Sequence, residues 1–416
     1  MLAIKPLFRL SGCAGIAVAM HIFGFLCTNN PIDIDNDYGQ IDGCLLEDSI
    51  VYDSAFGPYT FTCPLVYING AVTLTAGTQA SIKGCCEITW TGTLTIEQGA
   101  RLFMDEGACI LVNGGRLNIN GTKERPVLIK NSETGTYWGP SDKAIGGICF
   151  DSSASRESSI AWCDIDSAIS GISSDEDSLS ITNTTIRNAQ HNGIIFYESG
   201  PADSAHFTGN AFIHNGSGNS DYPLIIDAAN LIRLAGDGVF TDNSQQAINV
   251  HCQGRGNLVA ESGTWRKHPV PYVFSDHYAY LDDSSGVTIT IQPGTRLLFQ
   301  EESYIVIGRG ALIARGTAAD SIFFGNRTAG VRWGFEAGLQ FTVNSQTSSA
   351  VQYCHITSAT ENGIFLNVNP ATVSNSTIDN CERYGIYMFK ATSSVNVDLG
   401  TITFSGNGVG GYVIDD

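Results

Sequence analysis

Charged residues and helical patterns are scarce in this chain of 416 residues. Charged side chains make up only 15% of it, which is too few for a coiled coil or another long-helix protein. Basic residues are rarer still, because 22 lysines and arginines stand against 41 acidic residues, for a net charge of −19. Such an acidic chain repels phosphate backbones, so we expect no nucleic-acid partner.

Apolar residues and glycine, in contrast, are plentiful. With 43% hydrophobic residues, the chain is not intrinsically disordered. The 46 glycines indicate many turns, which favours short strands over helices.

The N-terminal segment predicts export. Lys5 and Arg9 precede an uncharged apolar stretch over residues 10–27, as in a secretory signal. Cys27 follows Gly-Phe-Leu in a pattern similar to a bacterial lipobox, so we predict a signal peptide over 1–27 and lipid attachment at Cys27. Simple signal cleavage and an uncleaved anchor helix are the alternatives. Residues 28–58 are predicted to form an acidic tether and N-terminal cap, and the body an exported protein, either an outer-membrane or cell-surface lipoprotein or an extracellular one. We expect the protein to contact a membrane only through this N-terminal lipid or anchor.

The rest of the chain is a tandem duplication. Residues 96–131 align without gaps on residues 291–326, a shift of 195 residues. The identical pairs include Gly99/Gly294, Arg101/Arg296, Gly115/Gly310, Leu117/Leu312, Gly121/Gly316 and Trp138/Trp333. Further along, the shift falls to 191 residues and then rises to 192. We predict two copies, at roughly 92–285 and 286–416, within one domain over 59–416.

A shorter period lies inside each copy. Gly171-Ile172 recurs 22 residues later as Gly193-Ile194, and Gly363-Ile364 recurs as Gly385-Ile386. Apolar residues inside the unit are two apart, as in Leu117 and Ile119, which is the period of a strand. Stacked units would pair each strand with its counterpart about 4.8 Å away, and bury a continuous interior. We therefore expect Ile172 to lie on Ile194, and Asn188 on Asn215 in an asparagine ladder.

Several segments resemble one known family. They include ITIQPGTRLLF from residue 288, WCDIDSA from 162 and TNTTIRNAQHNGIIF from 182. They resemble bacterial right-handed parallel β-helix repeat proteins of the pectate-lyase-like superfold. The resemblance implies an all-β, single-stranded right-handed parallel β-helix that is internally duplicated. That family contains lyases, hydrolases, epimerases, adhesins and proteins of no known activity, so it does not determine a function.

The catalytic motifs of this superfold are incomplete here. A polygalacturonase-like site needs Asn-x-Asp, Asp-Asp, Gly-His-Gly and Arg-x-Lys in that order. Asp282-Asp283 precedes the Asn396-Val397-Asp398 match, His191-Asn192-Gly193 lacks the first glycine, and Arg266-Lys267 is not spaced by one residue. We therefore predict no catalytic residue.

Metal and cofactor motifs are also missing from the sequence. None of the eight histidines has zinc-helix spacing, and no phosphate-binding glycine loop occurs. The Asp33–Asp42 segment fails the EF-hand pattern, since Tyr38 occupies the sixth position. We expect neither a metal site nor a cofactor.

Cysteines give two expectations. Cys163 and Cys354 are equivalent in the two copies, so they should share one interior position. Cys44, Cys63, Cys85 and Cys86 precede the regular coils, where a disulfide would cap the N-terminal end, with packing or free thiols as the alternative.

Aromatic residues provide the candidate ligand-binding groups. Trp138, Trp265 and Trp333 are candidate carbohydrate platforms, although a tryptophan repeated in this way more often packs in the core or as a loop lid. The same two interpretations apply to the tyrosines Tyr272, Tyr278 and Tyr280.

Three functions fit these observations. The first is a non-enzymatic cell-surface β-helix that binds or presents carbohydrate or another surface partner, such as a polysaccharide or a cell-envelope component. The second is a polysaccharide lyase or glycoside hydrolase with an unrecognised site. The third is a structural spacer, in which roughly fifteen coils would give a rod on the order of 70 Å.

Overall fold

The computed structural model describes residues 40–41, 44–367, 371–389 and 397–415. The predicted signal peptide, Cys27 and most of the acidic tether lie outside these residues. Within the described chain, no helix is long and apolar enough to serve as a membrane span.

The fold is a parallel β-solenoid of about 15 turns, with 47% strand and 3% helix. This confirms the predicted all-β parallel β-helix and its coil number. The helical residues form three short 3₁₀ turns, at Ala228–Arg233, Gly254–Asn257 and Leu399–Thr401. Strands stay short because glycine and polar corners interrupt the chain after every few residues.

The first of two compact units contains the described residues up to Tyr197, together with Gly209–Asp221 and Asp242–Ser244. Its strands form three parallel ladders. Ladder A contains Gln40–Ile41, Tyr59–Phe61, Gln79–Ile82, Arg101–Met104, Val127–Asn131, Cys163–Asp166, Thr185–Arg187 and Ala211–Ile213. Ladder B contains Leu45–Leu46, Leu65–Ile68, Cys85–Ile88, Cys109–Val112, Ile148–Phe150, Ile172–Ser174 and Ile194–Phe196. Ladder C contains Ile50–Tyr52, Ala71–Leu74, Thr93–Glu97, Arg116–Asn120, Ser159–Ala161 and Ser180–Thr182.

The second unit contains Glu198–Thr208, Tyr222–Thr241 and the described residues from Gln245 onward. Besides the strand Val239–Thr241, its strands form three ladders. Ladder D contains Leu224–Asp227, Ile248–His251, Tyr272–Ser275, Arg296–Phe299, Ile322–Asn326, Cys354–Thr357, Thr377–Asp379 and Thr403–Ser405. Ladder E contains Leu258–Val259, Tyr278–Leu281, Tyr304–Ile307, Ala337–Phe341, Asn362–Asn367, Tyr384–Phe389 and Gly410–Asp415. Ladder F contains Gly263–Trp265, Thr288–Ile291, Ala311–Arg315, Ala350–Gln352 and Thr372–Ser374. The boundary between the units differs from the predicted boundary between the sequence copies, which stays a prediction.

Alternating side chains fill the interior of each unit. In Thr93–Glu97, Leu94 and Ile96 are buried while their neighbours are partly exposed. Ile172 pairs in register with Ile194, as predicted. The equivalent cysteines Cys163 and Cys354 are both buried, which confirms their shared interior position.

The predicted asparagine ladder exists, but with different members. Asn188 is exposed with φ +53°, whereas Asn215 is fully buried, so the predicted stacking of Asn188 on Asn215 is wrong. Asn215 instead accepts a hydrogen bond from the Ala189 amide at 3.0 Å, and its own amide group donates to Asn243 Oδ1 at 3.0 Å. The error is one residue, because the chain turns the corner between Asn188 and Ala189.

The duplication persists in the geometry of the corners. Left-handed backbone occurs at matched non-glycine positions, namely Trp162 with Tyr353, Ser167 with Ser358, Asn183 with Asn375 and Asn188 with Asn380. A Cβ atom on Gly121 would lie 2.1 Å from a backbone oxygen, and one on Gly316 would lie 2.4 Å from the equivalent oxygen. Both copies therefore need glycine at this close approach.

Disulfides form near the N-terminal end. Cys44 pairs with Cys63, which confirms a disulfide within the predicted group. Cys85 pairs with Cys109, a residue outside that group, and Cys86 is a buried thiol whose pKa burial raises to about 12.

Candidate functional site

The three candidate tryptophans lie in the interior. Trp138, Trp265 and Trp333 are each 0% exposed, so none can stack on a glycan, and the platform interpretation of them is corrected. The indole N–H of Trp138 donates to the Asp166 carbonyl at 2.8 Å, and that of Trp333 to the Thr357 carbonyl at 2.6 Å. These matched bonds show that the tryptophans hold corners of the coils. Trp265 packs on Phe274 in the core, with ring centroids 5.7 Å apart.

Partly exposed aromatic side chains instead gather on the outer side of ladder E. We call Tyr278, Tyr280, Tyr304, Phe365 and Tyr387 the aromatic face. All five are partly exposed, and their strand neighbours in the sequence point inward and are buried. Tyr272, the third candidate tyrosine, is buried and donates its hydroxyl to a backbone carbonyl.

Strand register joins these side chains into rows. One continuous row crosses six neighbouring strands as Tyr280, Val306, Gln340, Phe365, Tyr387 and Val413. Tyr278 and Tyr304 form a second, shorter row beside it. Because parallel strands lie about 4.8 Å apart, each strand adds one side chain to the surface at that interval.

Ring contacts within the face are close. The rings of Phe365 and Tyr387 are nearly parallel, at 7° and 5.6 Å between centroids. Tyr278 and Tyr304 are 5.2 Å apart. Burial raises the pKa of Tyr304, and the neighbouring Tyr278 and Glu336 raise it further, so this phenol stays protonated and able to donate.

Charged groups flank the row at the strand ends. Arg309 binds Asp282 through two nitrogens, Nε at 3.0 Å and Nη2 at 2.7 Å. This hydrogen bonding lowers the pKa of Asp282 and keeps it ionised. The Tyr387 hydroxyl donates to Asp415. The Asp282-Asp283 motif is thus engaged in an ion pair and a turn.

The equivalent face in the first copy is covered. Tyr304, Phe365 and Tyr387 correspond by the sequence shift to residues 109, 173 and 195, which are at most 1% exposed. A loop over residues 140–146 contacts the first two of them. Its Ile145 packs with Cys109 and Leu111, and its Gly146 amide donates to Ser173 Oγ at 2.9 Å.

The covering loop is longer than its counterpart in the second copy. Seven residues lie between Gly139 and Gly147, whereas three lie between Gly334 and Gly338. The shortened loop leaves Phe335 61% exposed. Four fewer residues therefore leave the aromatic face open.

The covering loop also completes a polar cluster in the first unit. His191 Nδ1 lies 3.1 Å from Asp221 Oδ2, and Asp221 also accepts the amides of Ser217 at 3.1 Å and Gly218 at 2.8 Å. Lys143 from the loop lies 3.6 Å from Asp221 Oδ1. Burial raises the pKa of Asp221, but the bonds from His191 and the backbone outweigh it, so the net shift is downward. An ionised Asp221 accepts from Nδ1, which leaves His191 Nε2 as an acceptor.

Metal ligands do not converge in the described parts of the chain, where no group of three or more His, Cys, Asp or Glu side chains could hold an ion. The predicted lipid-attachment residue, Cys27, lies outside the described residues.

Sequence reasoning missed Tyr304, Phe365 and Tyr387. Each alternates with buried neighbours, so each is placed outside by parity alone. The 22-residue step from Phe365 to Tyr387 repeats the period of the coils and was a usable signal.

Comparisons with known proteins add little. No family model matches the chain, and no curated protein matches it. Among solved structures, a double mutant of the periplasmic alginate epimerase AlgG is similar over 84% of this chain and 81% of that chain. The sequence identity is 10% and the TM-score 0.17, a level of similarity that carries no argument about this chain.

Proposed function

We propose that this chain is an exported, non-enzymatic β-helix protein that binds carbohydrate through the aromatic face. The observation that carries the proposal is the row of partly exposed side chains from Tyr280 to Val413, which repeats at the strand interval. That interval of about 4.8 Å is close to the length of one residue in an extended glycan.

The chemistry of the face suits a sugar chain. Tyrosine and phenylalanine rings offer apolar area to the C–H groups of a pyranose, and tyrosine hydroxyls exchange hydrogen bonds with its hydroxyls. Tyr304, Phe365 and Tyr387 of the second copy are partly exposed, whereas their counterparts in the first copy are buried. Solvent exposure of so many rings disfavours a purely structural spacer.

Binding to immobilised glycans tests the proposal. We expect Phe365→Ala with Tyr387→Ala to weaken glycan binding by at least about tenfold, since each ring supplies roughly 1 kcal/mol beyond its buried area. Trp90→Ala is the matched control, because Trp90 is 73% exposed but lies in the first unit. The proposal fails if the wild-type protein binds no glycan, or if Trp90→Ala weakens binding as much as the double variant.

We also propose that the chain is exported and lipidated at Cys27. The two disulfides support export, because disulfides persist in oxidising compartments. Labelling cells with a fatty-acid analogue should mark the wild-type protein and Cys13→Ser but not Cys27→Ser. Equal labelling of both variants would refute lipidation at Cys27.

A second candidate function is a polysaccharide lyase or hydrolase. The observation that favours it is His191, oriented by the buried Asp221 so that Nε2 can accept a proton, with Lys143 nearby. A carboxylate that fixes a histidine tautomer is a general-base arrangement. Of the two reactions, a lyase fits better. His191 Nε2 would take a proton from the sugar carbon next to a substrate carboxylate, and the Lys143 ammonium would neutralise that carboxylate.

Product formation from a panel of polysaccharides separates the two candidates. An enzyme should release unsaturated or reducing ends, and His191→Ala should abolish the release while leaving glycan binding by the aromatic face intact. Absence of cleavage by the wild-type protein on every polymer tested would reject the enzymatic candidate.

A further inference from the structure

One edge of the aromatic face is strongly acidic. Four turns lead into neighbouring strands of ladder E, over residues 300–303, 333–336, 358–361 and 380–383. They carry the five glutamates Glu301, Glu302, Glu336, Glu361 and Glu382. Successive turns are hydrogen-bonded to one another, as where the Arg383 amide donates to the Glu361 carbonyl at 2.6 Å. We call these five side chains the acidic edge.

Few cations neutralise the acidic edge. Arg383 is the one lysine or arginine in the four turns, and it lies 3.8 Å from Glu361. Arg332, just before the second turn, directs its guanidinium to the carbonyls of Ala359 and Asn380. In the described chain, the other four glutamates form no ion pair.

The acidic edge acts on the aromatic face itself. Glu336 directly precedes Ala337–Phe341, the strand that pairs with Tyr304–Ile307, and its carboxylate is among the groups that raise the pKa of the Tyr304 phenol. At the same edge Asn362 is 4% exposed, and its Oδ1 has no hydrogen-bond partner among the described residues, although its amide group donates to the Glu336 carbonyl. Carboxylates attract positive charge, and the spare amide oxygen calls for a hydrogen-bond donor.

The first copy provides an internal comparison. Glu302, Glu361 and Glu382 correspond by the sequence shift to residues 107, 170 and 190, which are glycine, serine and glutamine. Residue 106, the counterpart of Glu301, is a glutamate, and Glu336 falls where the corner loop differs in length between the copies. Three of the five glutamates of the acidic edge therefore have no acidic counterpart in the first copy, where the residues equivalent to Tyr304, Phe365 and Tyr387 are buried.

We infer that the ligand of the aromatic face is a cationic glycan, a chain of amino sugars with free amino groups. The inference rests on the proposed carbohydrate-binding function and adds the substrate class. Ammonium groups along such a chain would meet the acidic edge while the sugar rings lie on the aromatic face. Tyrosine rings add cation–π attraction. Uronate chains would be repelled by the same carboxylates.

Binding of three oligosaccharides of equal length tests the inference, at a pH at which the amines are protonated. The probes are a glucosamine oligomer, its fully N-acetylated form and a galacturonate oligomer, together with a lysine-rich peptide of the same charge as the first. We expect the glucosamine oligomer to bind best, with an affinity that falls as salt is added.

A charge-neutral variant sharpens the test. Glu336→Gln with Glu361→Gln and Glu382→Gln should weaken glucosamine binding about tenfold, since each exposed pair contributes a few-fold. The matched control replaces three exposed glutamates of the first unit, Glu47, Glu124 and Glu133, by glutamine, and should bind as the wild type does.

The outcomes separate the two claims. Equal binding of the acetylated and free-amine oligomers, unchanged in the triple variant, overturns the cationic-ligand inference and leaves carbohydrate binding standing. Tighter binding of the peptide than of any glycan overturns the inference in favour of a basic protein partner. Binding of no oligosaccharide overturns both the inference and the proposed function.

Discussion

The asparagine ladder yields a sharp prediction, because the duplication supplies its own control. Asn215 and Asn407 occupy equivalent positions, 192 residues apart. Asn215 accepts from the Ala189 amide at 3.0 Å and donates to the Ile186 carbonyl at 2.9 Å. Asn407 makes the matching bonds at 2.9 and 3.1 Å. The two side chains differ in burial, since Asn215 is fully buried and Asn407 is only half-buried.

We expect Asn215→Ala to cost far more stability than Asn407→Ala. The first substitution leaves one backbone donor and one backbone acceptor buried without partners, at about 1–3 kcal/mol each, so about 2–6 kcal/mol in total. At Asn407 water can replace the lost bonds, and the cost falls to about 1 kcal/mol. Asn215→Asp should cost at least as much as Asn215→Ala, because it buries a carboxylate against the Ile186 carbonyl.

Urea denaturation followed by far-ultraviolet circular dichroism measures the difference as a shift in midpoint. Hydrogen exchange locates it, because the Ala189 amide should lose protection in Asn215→Ala while amides of distant coils keep theirs. Equal midpoint shifts for the two alanine variants, or an unchanged Ala189 amide, would refute the reasoning that burial of the ladder sets its value.

Two further predictions concern titratable groups. His268 lies between Phe240 and Tyr272, and both ring nitrogens are buried without hydrogen-bond partners; burial lowers its pKa from 6.5 to about 4, opposed by Asp237. The unfolded chain therefore binds the proton first, and stability should fall as pH drops from 6.5 to 4, by at most about 3 kcal/mol. His268→Phe should remove this pH dependence and raise the melting temperature at neutral pH, and a lower melting temperature would contradict the assignment. The lowered pKa of Asp221 predicts stabilisation that is present above about pH 4 and lost on acidification below it; Asp221→Asn should unfold more easily at pH 7 and differ less from wild type at pH 3, and an equal difference at both pH values would count against it.

The fold could be predicted from the sequence because the period of the strands and the period of the coils agree. Alternation in segments such as Leu94 to Ile96 identifies strands, and the 22-residue step from Ile172 to Ile194 gives the coil. Both periods follow from backbone geometry and survive changes in side chain. Asn188 and Asn215 were paired wrongly because matching two asparagines gives a step of 27 residues, whereas the strands pair at a step of 26, as Ile186 with Phe212.

Only part of the site could be predicted from the sequence. Tyr278 and Tyr280 were candidate binding residues, but so were the tryptophans, since a repeated aromatic residue satisfies both packing and binding. Trp333 and Phe335 are two residues apart in one corner, yet one is fully buried and the other largely exposed. That difference depends on how the neighbouring coil closes over each ring, which is a tertiary property.

The length of a single corner loop has a wider consequence for how such folds change over evolution. Between the copies, four residues separate a sealed surface from an open one, while the pairing of the strands beneath is kept. The change in length at this corner leaves strand register untouched, because Ile110 pairs with Ile148 just as Ile305 pairs with Leu339. A duplicated solenoid can therefore acquire a new exterior on one copy while the other keeps the ancestral packing, and each coil offers an independent position at which this can occur.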